Sequence, residues 1–180
     1  MTVPHSFLPN FLSALRLALA PYVFYLMWVR EYRAVLVWFA IAGLTDAADG
    51  FAARKLKAAS PLGAYLDPIA DKVLLSGAFL VLALSHTIPL WLAILVLGRD
   101  AAILLFAAGV MLFTRTQRSF PPSGWGKVCT VVQICFVVAA VANQAGYLTV
   151  VFVRVLAGIT ATLTAWSAVD YAWRQFVGRP

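Results

Sequence analysis

Charged side chains are scarce in this chain, and acidic ones are scarcer than basic ones. Of its 180 residues, 12% are charged and 63% are hydrophobic, whereas a soluble domain averages about 25% charged and about 45–50% apolar. The apolar residues are grouped in blocks of about 20, the length that an α-helix needs to cross a bilayer. The composition excludes an ordinary soluble domain and predicts an all-α, polytopic integral membrane protein.

The chain has only two cysteines, and no linker, low-complexity stretch or internal repeat stands out in the sequence. Cys129 and Cys135 fall in a single apolar block, where a disulfide would have no structural role, so we expect both to be reduced core residues. Without a linker or a repeat, residues 1–180 are expected to form a single domain. No Lys or Arg precedes the first apolar block and Arg16 lies inside it, so we expect no cleaved signal peptide.

Six apolar blocks are long enough to form membrane-spanning helices. Pro89 opens the fourth, where its missing N–H costs no hydrogen bond, and Gly146 marks the turn between the last two. An even number of spans returns the chain to the side of the membrane on which it began. The predicted spans are residues 8–29, 34–54, 63–85, 88–112, 126–142 and 147–172.

The net charge of +7 is distributed unevenly among the connections between spans. Basic residues follow the second and fourth spans and occupy the C-terminal tail, whereas the connections after the third and fifth spans carry none. Because Lys and Arg collect in cytoplasmic loops, both termini are predicted to be cytoplasmic, and a bacterial inner membrane is the simplest setting. The charges form no basic stripe, so nucleic-acid binding is not expected.

Four of the seven acidic residues lie close together: Asp46, Asp49, Asp67 and Asp71. The first pair is near the end of the second span, and the second pair is near the start of the third. On a helix, spacings of i, i+3 and i, i+4 separate side chains by about 60° and about 40°, so each pair occupies one face. The predicted topology puts both pairs on the cytoplasmic side, and a turn through residues 55–62 would bring the two faces together.

The negative charge of a carboxylate inside the membrane needs a compensating positive charge, because each such carboxylate raises the free energy of membrane insertion by roughly 2.5–3.5 kcal/mol. Only Arg54 and Lys72 are adjacent in sequence to compensate them. Aspartate oxygens suit Mg²⁺ or Mn²⁺, and about two such ions would balance the four negative charges, so we predict a divalent-metal site. Small residues around the acids either leave room for a bulky ligand or simply permit close helix packing.

A cation transporter is the alternative from a different functional class, since intramembrane carboxylates also mark ion paths. Two features argue against it. All four aspartates are predicted at one membrane face, and no second half of the chain repeats the pattern, as transporters often do.

The acidic segment resembles the signature of the CDP-alcohol phosphotransferase family, membrane enzymes of phospholipid synthesis. Every specified position matches, and the opening stretch "PNFLSALRL" is also similar to the family. The resemblance implies six membrane helices with the active site at the cytoplasmic ends of helices 2 and 3, and it implies a homodimer. In this chain the signature reads Asp46-x2-Asp49-Gly50-x2-Ala53-Arg54-x8-Gly63-x3-Asp67-x3-Asp71.

The resemblance also implies a reaction. A hydroxyl of an acceptor attacks the lipid-side phosphorus of a CDP-linked lipid, and CMP leaves. Metal binding falls to Asp46, Asp49, Asp67 and Asp71, and Asp71 also acts as the general base. Contacts with the CDP-linked lipid fall to four further residues of the motif: Gly50, Ala53, Arg54 and Gly63.

The sequence does not identify the acceptor. The stretches "IPLWLAILVLGRDAAILLFAAGVML" and "SGWGKVCTVVQI" resemble the branch that holds phosphatidylglycerophosphate synthases and CDP-dependent cardiolipin synthases. The donor is then CDP-diacylglycerol, and the acceptor is glycerol 3-phosphate or phosphatidylglycerol. The first class usually has Gly-Leu-Arg where this chain has Leu105-Phe106-Ala107, so an expected arginine is missing, whereas "GRD" is more like the second class. Family enzymes with inositol phosphate or serine as acceptor are a further alternative.

An anionic acceptor needs a cation and hydrogen-bond donors. Arg99 and its neighbour Asp100 could instead neutralise other buried charges, and Thr130 with Gln133 could instead join two helices by hydrogen bonds. The candidate acceptor-binding residues are Arg99, Arg115, Arg118, Lys127 and Thr130.

Overall fold

The computed structural model describes the backbone of residues 7–43, 61–114 and 124–176, and the side chains of residues 17–43, 72–106 and 125–173. Within these ranges the chain forms six helices and no strand, which confirms the all-α prediction for the described residues. Each predicted span overlaps one helix. The helices are α1 (Phe7–Trp28), α2 (Tyr32–Gly43), α3 (Pro61–Leu84), α4 (Leu90–Thr114), α5 (Gly124–Gln144) and α6 (Val150–Phe176).

Two of these helices are long and apolar enough to cross a membrane. They contain the stretches Trp125–Gln144 and Val150–Trp173, of 20 and 24 residues. The described parts of α1, α2 and α3 contribute shorter apolar stretches: Leu17–Trp28, Tyr32–Gly43 and Lys72–Leu84. Length and composition therefore support spanning by α5 and α6, while a total of six spans stays a prediction.

The turn between α5 and α6 is built around Gly146, as predicted. Its φ of 86° lies in the left-handed region that glycine adopts without a steric penalty. The N–H of Gly146 donates to the carbonyl of Asn143 at 3.0 Å, and the N–H of Tyr147 donates to that of Ala142 at 2.8 Å. This Schellman pattern satisfies the last carbonyls of α5 and reverses the chain, so α6 runs antiparallel to α5.

Helix α1 ends in the same hydrogen-bond pattern without a glycine. Arg30 adopts a φ of 64°, and its N–H donates to the carbonyl of Met27 at 3.2 Å. The N–H of Glu31 donates to the carbonyl of Leu26 at 2.9 Å. The chain turns within a few residues, and Glu31 leads directly into α2.

The helices pack as two compact units, Met1–Ser85 and His86–Pro180. In the first unit, α1 packs against α3 through Phe24 and Gly77. A Cβ atom at Gly77 would lie 2.7 Å from Cε2 of Phe24, so the phenyl ring occupies the space that any larger residue would need. The division into units does not test the prediction that residues 1–180 form one domain.

In the second unit, α6 packs against both α4 and α5. Arg99 of α4 contacts Ser167 of α6, and Phe106 of α4 meets Tyr171 of α6 edge to face with ring centroids 5.9 Å apart. These contacts advance in the same direction along both helices, so α4 and α6 run parallel. A parallel pair with α5 antiparallel to it is the arrangement that successive membrane crossings would produce.

Replacing Gly77 by alanine is expected to lower the free energy of unfolding by about 1–3 kcal/mol, because the new methyl group overpacks the contact with Phe24. The change is measured by thermal unfolding of the detergent-solubilised protein, followed by helical circular dichroism. Gly158→Ala is the matched control, since a Cβ there meets nothing within 4 Å. Adding Phe24→Ala to Gly77→Ala should recover part of the loss. Equal melting temperatures for the two alanine variants would contradict the close contact.

Candidate active site

Helix α3 carries half of the aspartate motif. Asp67 and Asp71 lie on it one turn apart, so the backbone places both positions on one face, as predicted. Gly63 lies on the same helix, one turn before Asp67. The other motif residues and two acceptor candidates lie outside the described residues: Asp46, Asp49, Gly50, Ala53, Arg54, Arg115 and Arg118.

The metal prediction depends on aspartate side chains that lie outside the described part of the chain. Among the described side chains there is no group of three or more His, Cys, Asp or Glu that could hold a metal ion. Two carboxylate-bearing positions one turn apart on a helix face are a donor set that fits Mg²⁺ or Mn²⁺. The described backbone sets only the one-turn spacing of Asp67 and Asp71, and the metal site stays a prediction.

A buried polar cluster joins α4 to α6 and includes Arg99. Its Nη1 donates to Oδ1 of Asp100 at 2.8 Å, and its Nη2 donates to the hydroxyl of Ser167. The side chains of Arg99 and Asp100 are each 9% exposed, and Ser167 is buried. Arg99 and Asp100 thus neutralise each other, while Ser167 ties the pair to α6.

A second buried group joins α5 to α6. Nε2 of Gln133 donates to Oγ1 of Thr164 at 3.3 Å and to Sγ of Cys129 at 3.4 Å. Sγ of Cys129 also lies 3.5 Å from Oγ1 of Thr164, and all three residues are buried. Gln133 therefore forms a hydrogen bond between helices, which was one of its two sequence interpretations. Both Cys129 and Cys135 are free thiols, as predicted, but only Cys129 is a core residue: Cys135 is exposed, because it lies on the outer face of α5.

Lys127 and Thr130 lie near the start of α5 and are exposed. The hydroxyl of Thr130 donates to the carbonyl of Gly126 on the same helix at 3.1 Å, so Thr130 does not share the interhelical role of Gln133. Lys127, Thr130 and Gln133 follow one another at steps of three residues. Each such step drifts by about 60° around a helix, so the three positions pass from an exposed face to a buried one. The side chain of Arg99 is thus largely buried, whereas Lys127 and Thr130 are exposed.

Sequence reasoning missed Thr164 and Ser167. The signal was present, because Thr160, Thr164 and Ser167 follow one another at steps of four and three residues along α6. Such steps place hydroxyls on one helix face, and polar residues in apolar spans commonly face neighbouring helices. All three residues are buried.

Comparison with known proteins decides the family. Residues 6–169 match the model of the CDP-alcohol phosphatidyltransferase family. The chain belongs to that family. It is 35% identical to the CMP-forming cardiolipin synthase of Rattus norvegicus over 182 residues, which cover 91% of this chain and 60% of the rat protein. The chain therefore spans about three fifths of that relative.

Bacterial relatives cover more of their own length. The chain is 32% identical to the CDP-diacylglycerol–glycerol-3-phosphate 3-phosphatidyltransferase of Pseudomonas fluorescens over 180 residues, covering 92% of this chain and 90% of that protein. It is 34% identical to a probable phosphatidylglycerophosphate synthase of Mycobacterium tuberculosis over 174 residues, covering 93% and 80%. The predicted family is confirmed, and the relatives' names include both predicted branches. A transferase family argues against the cation-transporter alternative.

Replacing Thr164 by valine is expected to destabilise the protein by about 1 kcal/mol, because the buried amide of Gln133 loses an acceptor on α6. Thermal unfolding in detergent measures the change. Thr162→Val is the control, since the hydroxyl of Thr162 is exposed and bonds only to the carbonyl of Gly158 at 2.8 Å. The double variant Gln133→Leu/Thr164→Val should be less destabilised than the two single variants added together. Strict additivity would show that the two side chains do not interact.

Proposed function

We propose that this protein transfers a phosphatidyl group from CDP-diacylglycerol to a glycerol-bearing acceptor and releases CMP. The observation that carries the proposal is the aspartate motif, whose second half lies on one face of α3 within a chain that matches the family over residues 6–169. Relatives named for cardiolipin synthesis and for phosphatidyl transfer to glycerol 3-phosphate support the same chemistry.

The four aspartates would hold about two divalent cations, Mg²⁺ or Mn²⁺, a role that agrees with the general metal dependence of the family. When bound, the ions supply charge neutralisation at the pyrophosphate and at the departing CMP. Asp71 accepts the proton of the acceptor hydroxyl as its oxygen attacks the lipid-side phosphorus and the bond to CMP breaks. Asp46, Asp49 and Asp67 serve as ligands only.

The remaining motif residues would bind the donor. Gly50, Ala53 and Gly63 lack bulky side chains, so they let the cytidine nucleotide approach the backbone closely. Arg54 contacts the phosphates through charge-assisted hydrogen bonds. Each of these roles is assigned from the residue's position in the family motif.

The acceptor is glycerol 3-phosphate or phosphatidylglycerol. Lys127 is an exposed cation at the start of α5 and suits an anionic headgroup, with Thr130 one turn nearer the middle of the helix. Arg115 and Arg118, which lie in the sequence between α4 and α5, are two further cations proposed to bind the same anionic headgroup. Arg99 differs from them, because Asp100 compensates its charge.

We further propose that the protein is an integral membrane protein with six spans, both termini in the cytoplasm, and a homodimeric assembly in a bacterial inner membrane. The alternating directions of α4, α5 and α6 support successive crossings. The uneven distribution of basic residues supports the orientation.

Replacing Asp71 by asparagine is expected to lower the rate of CMP release at least about 100-fold, because the general base is lost. The assay contains purified protein, CDP-diacylglycerol, Mg²⁺, and either glycerol 3-phosphate or phosphatidylglycerol. Glu31→Gln makes the same carboxylate-to-amide change at an exposed position outside the motif and should leave the rate unchanged. Full activity of Asp71→Asn would refute the assignment of the base.

The same assay separates the proposed acceptors and the alternatives. CMP release with one acceptor and not the other identifies the acceptor, and EDTA should abolish release in either case. Inositol phosphate and serine are tested in parallel. Divalent-cation flux into vesicles without any CDP-linked lipid, combined with no CMP release, would favour a transporter.

A further inference from the structure

Beyond the aspartate motif, helix α3 has a buried side and an exposed side. Spacings of seven and eleven residues are close to whole numbers of helical turns, so residues at these spacings from a given position lie within about 20° of it. Leu80 and Leu84 follow Val73 at these spacings, and all three side chains are exposed. This series marks the exposed side of α3.

Lys72 lies on the buried side of α3. Phe79 and Ala83 follow it at the same spacings of seven and eleven residues, and both are buried. The side chain of Lys72 is itself half-buried, although lysine is mostly exposed in proteins. The burial of Lys72 therefore agrees with its position on the helix.

Asp71 lies on the buried side as well. Ala78 and Leu82 follow it at seven and eleven residues, and both are buried. Since Asp71 and Lys72 are consecutive, their Cα atoms are about 3.8 Å apart. The general base proposed above and a cation thus lie next to each other on the side of α3 that is buried further along.

The position of Lys72 along α3 makes its charge costly. Lys72 is the twelfth of the 24 residues of the helix, so at least about 16 Å of helix separates it from either end. If α3 spans the membrane, as proposed above, Lys72 is far from the helix ends at which a lysine usually reaches water. Charged residues inside spans are rare, and they mark ion paths or substrate sites.

The proposed reaction needs a second cation beside the motif. The charges of the four motif aspartates are offset by about two divalent cations. The pyrophosphate of CDP-diacylglycerol adds one negative charge on each of its phosphates, and phosphoryl transfer depends on neutralising them. Arg54 supplies one positive charge from the motif, and Lys72 supplies another.

We propose that Lys72 binds the donor, with its ammonium group donating to an oxygen of the phosphate that the acceptor attacks. This inference rests on the function proposed above. Asp71 takes the proton of the attacking hydroxyl, so a cation beside it on the same side of α3 lies close to that phosphate. The lysine ammonium is a compact point charge that commonly binds phosphate groups.

Lys72→Gln is the main test, because it removes the charge and keeps a polar side chain. CDP carries both phosphates of the donor, whereas CMP lacks the phosphate next to the lipid. The affinity for CDP should fall at least about tenfold, the usual effect of losing a hydrogen bond to a charged group, and the affinity for CMP should change less than about twofold. Titration calorimetry of the detergent-solubilised protein in Mg²⁺ measures both.

Kinetics and two further variants accompany the titrations. In Lys72→Gln, kcat/KM for CDP-diacylglycerol should fall at least about tenfold, while the KM of the acceptor stays within about twofold. Lys72→Arg keeps a cation and should restore most of the affinity for CDP. Arg33→Gln is the matched control, since it removes an exposed cation from α2 and should leave both affinities unchanged.

The outcomes separate donor binding from two simpler roles of Lys72. If Lys72 only offsets the charge of the aspartates, Lys72→Gln would lower the Mg²⁺ concentration that gives half the maximal rate and leave the affinity for CDP unchanged. If Lys72 only contributes to packing, the melting temperature would change without any change in the affinity for CDP. Either result would overturn the inference.

The proposed function fails separately. If the unmodified protein releases no CMP with any acceptor and binds neither CDP nor CMP, the function is refuted and the inference falls with it. If the unmodified protein releases CMP and Lys72→Gln binds CDP normally, the inference alone is overturned. Weaker CDP binding by Lys72→Gln, without CMP release by the unmodified protein, would refute the reaction and retain Lys72 as a ligand of the pyrophosphate.

Discussion

The cost of burying polar groups among apolar helices governs the contacts of two described side chains of the second unit, Arg99 and Gln133. The charge of Arg99 is compensated by its neighbour in sequence, and its Nη2 donates to Ser167 on α6. The amide of Gln133 reaches α6 as well. Both contacts end on one buried face of α6, so this helix joins α4 and α5 through hydroxyl groups as well as through apolar packing. Hydrogen bonds between helices are favourable in a setting without competing water.

The helices could be predicted from apolar blocks, but their ends could not be placed from composition. The third span was predicted at 63–85, whereas the helix is Pro61–Leu84. Hydropathy changes gradually along the sequence, but the backbone hydrogen bonds of a helix end at a particular residue, so hydropathy does not locate that residue. Gly146 was recognisable as a turn, since glycine is common in the left-handed region. Arg30 adopts the same conformation without any such signal, and only the backbone reveals that turn.

The aspartates and the hydroxyls differ in how well the sequence identifies them. A carboxylate in an apolar span is rare and costly, so Asp67 and Asp71 stand out at once. A threonine is ambiguous, because its hydroxyl can bond to a carbonyl of its own helix or to another helix. Thr162 bonds to the carbonyl of Gly158, whereas Thr164, two positions later, bonds to Gln133. Only the packing around α6 distinguishes the two.

If α4 spans the membrane as proposed above, the adjacency of Arg99 and Asp100 has a consequence for how the chain is inserted during synthesis. The two residues leave the ribosome together, so α4 carries its own counter-ion before α5 or α6 exists. A lone arginine would have to enter the lipid uncompensated or wait for a later helix. The partner on α6 is 68 residues further along the chain, and its hydroxyl is needed only when α6 docks. Charge compensation therefore belongs to the insertion of α4, and orientation of the guanidinium belongs to the later assembly of the helices.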